Sequence, residues 1–408
     1  MEKKGSALQV GAAIARLRKK QGLTQTQLAE MLCVSNKTVS KWERGAGYPE
    51  ITQLSSLSRI LGTTVDTLLM SERQGIAVAG NFVTDQIKMI DAYPEKNMLA
   101  SITAISNAIG GCVPTVVLDL ARIDRELRLS ALGRVGDDAN GRFLVDELRR
   151  NGIDTGGVTV SQTAGTSFSD VMTLSTTGER TFFHYRGANA EFSPADVDIS
   201  ALRCEMLHIG YILLLDEFDM PDAEYGTVMA RFLHDVQEAG IATSIDVVSD
   251  SSGKFAEKVI PALRYTNNAI MNEIEAGGIS GLPPRDANGK LLPENVRRTM
   301  EMILAHGVGD RVIVHCPEAG FCLNKNGAFT VIPSIKLPKG YIKGTVGAGD
   351  AFCAGCLYGI NQGFCDEEIL AFASGAACFS LAAEDAVSGM KNKDHIAAFI
   401  QNAERVEL

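Results

Sequence analysis

Two units of different fold class are predicted by this 408-residue chain: a small all-α head, and a larger α/β body whose mostly parallel sheet carries helices on both faces. Three observations predict them. Between Gln9 and Met70 five short helical patterns follow one another, separated by turn signals. From Ile76 onward short β-branched runs alternate with helical stretches. Finally, the charge changes sign: residues 1–73 hold 11 Lys+Arg against 6 Asp+Glu, a net of +5, and the remainder nets −15. A basic head on an acidic body points the head alone towards a polyanion such as DNA.

The expected boundaries are 1–70 for the head, 71–75 for a short polar linker and 76–408 for the body. In the head, Val10–Gln21 is amphipathic with a basic end and stops at Gly22. Thr24 with Gln27 three residues on is a capping-box start for a second helix, with Leu28, Ala29 and Leu32 inward. After the turn Cys33-Val34-Ser35, a third helix over Asn36–Arg44 turns Val39 and Trp42 inward. Its outward residues are Asn36, Lys37, Thr38, Ser40 and Lys41. Gly45 and Pro49 end it, and Ile51–Leu61 and Val65–Leu69 complete a bundle.

The run Leu23-Thr24-Gln25-Thr26-Gln27-Leu28-Ala29, then Val34-Ser35, then Val39-Ser40-Lys41-Trp42-Glu43-Arg44-Gly45 resembles the Cro/repressor-type helix-turn-helix family. The resemblance covers nearly the whole head. It implies that the Asn36–Arg44 helix enters the major groove of double-stranded DNA, with Asn36, Lys37, Thr38 and Lys41 reading it. It makes Gln25 and Ser35 phosphate or base contacts. The alternative is a helical interaction module whose polar face is simply solvated. Half-site recognition by so small a head implies a homodimer.

In the body, strands are expected over Ile76–Ala79, Met206–Ile209, Thr243–Asp246, Ala269–Met271 and Arg311–His315. Thr166–Leu174 and Arg180–Tyr185, around the turn Thr176-Thr177-Gly178-Glu179, read as an antiparallel hairpin of a small sheet that could cover a site and exclude water. The most informative stretch is Gly344-Thr345-Val346-Gly347-Ala348-Gly349-Asp350-Ala351-Phe352-Cys353. Gly347, Ala348 and Gly349 let successive backbone N–H groups converge at a helix N-terminus that favours an anion, with Asp350 beside it. Alone, this pattern fits a phosphate cradle with a base or a structural strand-to-helix turn equally well.

Several further motifs accompany it in order: Gly80-Asn81-Phe82-Val83-Thr84-Asp85, Gly110-Gly111 before a helix ending near Arg122, Gly133–Gly141, and Asn272-Glu273-Ile274-Glu275. Together, over nearly all of residues 76–408, they resemble the ribokinase-like (PfkB-type) family of sugar and nucleoside kinases. That resemblance implies a core of about nine strands with a β lid, ATP as phosphoryl donor and an alcohol on a small molecule as acceptor. Asp350 matches the catalytic base, and Gly347, Ala348 and Gly349 the anion hole. Asn272 and Glu275 match the motif that organises magnesium and phosphate, and Thr345 falls on the nucleotide side. Asp85 matches the acid that grips sugar hydroxyls, with Asn81, Gly110 and Gly111 nearby and Arg180 reaching from the lid. A helix N-terminus is expected to depress the pKa of Asp350. Structural alternatives stand beside these roles: Asp85 as a turn cap, the two glycines as packing residues, Glu275 and Arg180 as solvated charges.

Three places depart from the family pattern. Thr115, after Pro114, stands where an Asn is usual, and a hydroxyl cannot pair as a carboxamide does, which implies altered sugar recognition. Gly344 replaces an acid associated with a monovalent cation, which speaks against potassium activation. His315-Cys316-Pro317 replaces a Thr-x-Gly that meets nucleotide phosphates, and proline lacks an N–H.

No apolar run is long enough to cross a bilayer; Leu207–Leu215 is the strongest. Arg16, Arg18, Lys19 and Lys20 interrupt any signal-peptide core, so a cytoplasmic protein is expected. The 9 cysteines form no disulfide framework, and Cys353-x-x-Cys356 lacks a second ligand pair. The histidines show no ligand spacing, and no histidine metal centre is expected. Two readings of function remain: a sugar kinase whose DNA-binding head regulates genes of its own pathway, or a ligand-sensing transcription factor whose kinase-like body turns over little.

Overall fold

The structure, a computed structural model, describes residues 10, 11, 13–15, 17–19, 21–63, 65, 68, 73–249 and 253–408. Contacts divide the chain into Met1–Gln74 and Gly75–Leu408. Parts of the expected first and fifth head helices (residues 12, 16 and 20; 64, 66, 67, 69 and 70) and of the expected linker (71 and 72) lie outside the described residues.

In the head, helices run over Gln25–Met31, Asn36–Glu43 and Ile51–Ile60. Thr24 caps the first: its hydroxyl accepts from Gln27 N–H, and the Gln27 side chain accepts from Thr24 N–H at 2.8 Å. Ser35 caps the second through Thr38 N–H. Leu28, Ala29, Leu32, Val39, Trp42, Leu57 and Leu61 form a common core with Val10 and Ile14. Under that core Arg18 donates to both oxygens of Glu43, at 2.6 and 3.0 Å, and to Leu23 O at 2.6 Å.

Among its described residues the body has fifteen strands: β1 (Ile76–Gly80), β2 (Val83–Ile90), β3 (Ile102–Gly110), β4 (Leu129–Gly136), β5 (Asp154–Ser161), β6 (Phe168–Leu174), β7 (Arg180–Tyr185), β8 (Met206–Ile212), β9 (Pro221–Asp222), β10 (Gly226–Thr227), β11 (Ala242–Val247), β12 (Asn268–Asn272), β13 (Arg311–His315), β14 (Ala319–Asn324) and β15 (Phe329–Pro333). Nine of them form one sheet in the order β15-β14-β13-β12-β11-β8-β1-β4-β5. From β13 to β5 every pairing is parallel, and β14 and β15 close one edge antiparallel. Its central strands are apolar almost throughout because both faces are covered: Ala77 and Ala79 of β1 belong to one core, and Ile76 and Val78 to the other.

The expected hairpin is present as β6 and β7, and it belongs to a four-stranded lid of order β3-β2-β6-β7. The sequence reading assigns no strand to β2 or β3. Their outward positions mix polar residues, among them Gln86, Lys88 and Asn107, with apolar ones such as Ile105, and so blur the apolar signal that marks the central strands. Asp85 is therefore a strand residue and not a turn cap. On the inner face of the lid it lies in a row with Ala108, Ser169 and His184. The next row on that face is Ser106, Ile87, Val171 and Phe182.

Candidate active site

The site forms where the C-terminal ends of the central parallel strands meet the lid, the usual crevice of an open α/β sheet. Gly347 is the N-cap of the helix Ala348–Gln362, at φ 78°, a left-handed conformation that glycine adopts without strain. A Cβ there would sit 2.5 Å from the Ala386 side chain, so the close approach of the 384–386 loop also needs glycine. The first-turn N–H groups of Gly349 and Asp350 have no intrahelical acceptor and supply the anion-binding end. Thr345 is exposed just ahead of this turn.

Asp350 is buried, and Tyr211 donates to its Oδ1 at 2.6 Å. Burial lifts its pKa to about 6, against the opposing pull of the Tyr211 and Thr115 hydroxyls. This corrects the expectation of a depressed value: loss of water outweighs the helix dipole at this position. A carboxyl of that strength is a better proton acceptor near neutral pH than an ordinary aspartate.

Asp85 is also lifted to about 6, first by burial and then by the charge of Asp350, with Arg180 and the Ser169 hydroxyl opposing. A Cβ on Gly110 would come within 2.6 Å of the Asp85 carboxylate, so the glycine makes room for the acid. Gly111, at φ 83°, caps the helix Cys112–Ile123. Asp85, Ile87, Ala108, Val171, Arg180 and Phe182 line one side of a cleft whose other side is Val346 and the 384–386 loop. Asp85, Arg180, Gly110, Thr115 and Asp350 are thus brought to one place. Thr115 turns its hydroxyl back to Gly111 O at 2.6 Å while lying beside Asp350. Asn81 differs from expectation: it is fully buried and its carboxamide is committed to backbone, with Oδ1 accepting from Tyr211 N–H and Nδ2 donating to Leu214 O.

Asn272 caps the helix Glu273–Ser280, and Glu275 returns the bond to Asn272 N–H at 2.9 Å. Ser249 donates to Glu275 Oε1 at 2.9 Å and accepts from Asn272 Nδ2 at 3.1 Å. Both residues therefore hold the local fold. Burial lifts Glu275 to about 7, and Asp246, at the end of β11, is raised further by burial and by the charges of Glu275 and Asp350. Asp246 lies near enough to the buried Glu275 to feel its charge, and carboxylate oxygens are the donors that a hard cation such as magnesium takes.

Asp246 and Tyr211 are the residues sequence reasoning missed. The available signal was an acid ending an apolar strand, which is where parallel sheets place their sites. Deeper in, His208, Asp246 and Cys353 each bring one atom within 4.8 Å of the others. Cys353 S–H reaches His208 Nε2 at 3.6 Å, and Ser244 meets Nδ1 at 3.0 Å. Burial drives His208 down to about 3 and Cys353 upward, so both are neutral and that bond accounts for the pair.

His315 stands beside the cradle, its Cε1 3.5 Å from the Cβ position of Gly349 and its ring 4.8 Å from Phe352. In the head, Ser35, Asn36, Lys37 and Lys41 are exposed and Thr38 half-exposed. Gln25 donates to Glu43 at 2.6 Å and Asn36 to Thr26 at 2.9 Å, so each carboxamide spends a donor within the head.

Fold and site together define a phosphotransferase that acts on an alcohol group. A family model described as pfkB family carbohydrate kinase matches residues 74–393, and the chain belongs to that family. A helix-turn-helix model matches residues 14–68. The body is similar to Fructokinase-1 of Oryza sativa subsp. japonica, 25% identical over 320 residues, which covers 75% of this chain and 92% of that protein. The head is similar to the HTH-type transcriptional activator BcrR of Enterococcus faecalis, 46% identical over 59 residues, 14% of this chain and 29% of that one. In fold the chain is similar to Arabidopsis thaliana ribokinase complexed with ribose and ATP: TM-score 0.65, 18% identity, 80% of this chain and 99% of that one. Among the described residues no helix is long and apolar enough to cross a membrane.

Proposed function

We propose that the body transfers the terminal phosphoryl group of ATP to a hydroxyl of a sugar or sugar-like polyol, with magnesium, and that the head binds double-stranded DNA to regulate genes of the same pathway. The observation that carries this reading is the buried Asp350, lifted to about 6, in the first turn behind the glycine cradle and near enough to Asp85 to raise it.

Asp85 and Arg180 orient the substrate, and the lid strands over them exclude water. Asp350 takes the proton of the attacking hydroxyl. The N–H groups of the Gly347–Gly349 turn meet the charge of the group in transit. Asn272, Glu275 and Asp246 would hold magnesium, in part through water, and the ion when bound neutralises phosphate charge. Thr345 lies on the nucleotide side of the turn. The ATP and ribose of the Arabidopsis ribokinase and the sugar named for the rice fructokinase support ATP as donor and a sugar as acceptor.

A cytoplasmic location suits ATP and DNA as partners. The outer face of the lid exposes Ile105 and Phe183 around the Lys88–Asp170 pair, an apolar surface that a second copy of the chain would cover to form a homodimer. A ligand-sensing transcription factor with little turnover is the second reading. Thr115, with its hydroxyl turned back to Gly111 O, favours it, since it offers a substrate less than a carboxamide would.

The test is ATP consumption with magnesium across pentoses, hexoses, sugar acids and nucleosides, with Asp350→Asn alongside. Turnover on one compound that vanishes in the variant supports the kinase. A compound that raises thermal stability without turnover moves the sensor to first place. For the head, Lys37→Ala is expected to weaken binding to the chain's own promoter DNA about tenfold and to lower the salt slope by about one, with turnover unchanged. Unaltered salt dependence would remove Lys37 from the interface.

A further inference from the structure

We infer that Tyr211 is the positioning residue of the base, and that Asn81 acts on the reaction by holding Tyr211 and not by touching substrate. The inference rests on the kinase reading for its kinetic consequence, and on geometry alone for the rest.

The segment from Gly210 to Leu214 is fastened at every step. Gly80 lies so close to Gly210 that a Cβ would fall 1.6 Å from the Gly210 oxygen, and Asn81 N–H donates to that oxygen at 3.0 Å. The Asn81 carboxamide then takes Tyr211 N–H on one side and Leu214 O on the other. Arg186 donates to Leu213 O at 3.0 Å, and Leu213 itself sits at φ 83°, a left-handed conformation that a branched side chain keeps only when its surroundings impose it. So constrained a segment is more than core filling requires. What it delivers is the Tyr211 phenol, half-buried at the cleft, with its hydroxyl 2.6 Å from Asp350 Oδ1.

The phenol can only donate there. Burial and the nearby Asp350, Cys112 and Asp246 push its ionisation well above the ordinary tyrosine value. Tyr211 holds Oδ1 and the Thr115 hydroxyl also bonds the carboxylate, so the phenol bond helps fix the rotamer of the base and leaves the remaining lone pairs for the acceptor hydroxyl. The same bond favours the ionised carboxylate against the burial that disfavours it. The other groups that face Asp350 are the Thr115 hydroxyl, which also bonds it, Asp85 from β2, Asp119 and Cys112 from the helix after the paired glycines, Asp246 from β11 and Cys353 from its own helix. His315 from β13 and the Asp385 loop flank them, and Arg180 stands beyond Asp85. All of these persist when only the phenol oxygen is removed.

Tyr211→Phe in the full chain is the experiment, read in two ways. In the pH profile of kcat, the acid limb is expected to move up by about one to two pH units, so that turnover at pH 6 falls about five- to fiftyfold and recovers as the pH rises. KM for the sugar stays near wild type, because Asp85 and Arg180 are untouched. The Asp350 carboxyl titration, followed by 13C NMR and assigned by its absence in Asp350→Asn, is expected to rise by the same interval. A limb and a titration that both stay in place overturn the inference, as does a loss of kcat uniform across pH. If wild type turns nothing over, the kinase reading fails by itself, and the carboxyl titration still decides whether Tyr211 governs Asp350.

Discussion

Arg18 in the head and Asp119 in the body are both nearly inaccessible, at 8% and 0% exposure, yet their bonding is opposite. Arg18 meets Glu43 through two hydrogen bonds and Leu23 O through a third. Asp119, on the helix after the paired glycines, has no hydrogen-bond partner for either oxygen. Nor is it isolated in kind: Asp85, Asp119, Asp246, Glu275 and Asp350 are all raised, with burial the leading cause in each. A buried ion pair with its bonds made holds a fold together, whereas unpaired buried acids cost stability and gather where chemistry needs them. Charge in the head serves its own architecture and leaves the outer helix free; the acids gathered around the site in the body oppose the architecture and serve the chemistry.

The sharpest way to separate the two is Asp350→Asn. Turnover is expected to fall about a thousandfold or more, the scale of a lost general base in a positioned site. The body should meanwhile become no less stable, because a desolvated acid has been made neutral. Steady-state kinetics beside calorimetry checks both, and a variant that keeps its turnover removes Asp350 from the chemistry. The head should be indifferent, with the same affinity for its DNA.

Glu43→Gln breaks the contrast from the other side. It leaves Arg18 buried without its counter-charge, and the head is expected to lose about 2 kcal/mol, with DNA binding failing at lower temperature and turnover intact. The wild-type pair also has a pH sign. Although burial raises the Glu43 pKa, its bonds to Arg18 and Gln25 bring it below the ordinary value. Its contribution is present above the unfolded glutamate pKa and is lost as pH falls through the folded one. Thermal melts of the head between pH 3 and 6 test it, and a melt flat across that interval would mean that the Arg18–Glu43 pair does not stabilise the head.

The two regions also differ in how far their sequences could be read. Caps and helical periodicity write the head directly: Thr24 with Gln27 and the inward set Leu28, Val39 and Trp42 all stand where the pattern puts them. The central strands of the body were equally legible, since burial on both faces leaves unbroken apolar runs. Strands β2 and β3 were not, because an exposed lid mixes polar and apolar residues on its outer face. Within the site, motif residues such as Asp350, Asp85 and Gly110 converged from distant segments. The sign of the Asp350 shift did not follow from its helix, for desolvation is a property of what packs around a residue and no local pattern records it. Tyr211 escaped notice for the same reason: its partner lies 139 positions away.

Asp119 gives the finest test, since it lies beneath the site and is assigned no step in the reaction. Its folded pKa stands well above the unfolded one, so the folded chain keeps a proton that the unfolded chain releases. Stability from that proton is complete below the unfolded pKa of about 4 and drains away as pH rises towards the folded value, by up to about 1.4 kcal/mol per pH unit. Asp119→Ala abolishes this term and opens a small cavity, whose cost does not depend on pH. The variant is therefore expected to melt near or slightly below wild type at pH 5 and above it at pH 8. His208 and His315, which stay neutral when buried, are common to both proteins and cancel in the difference. A difference in melting temperature that stays constant with pH would mean that Asp119 has a partner in solution, and the contrast between a satisfied head and an unsatisfied body would then narrow to the residues of the cleft itself.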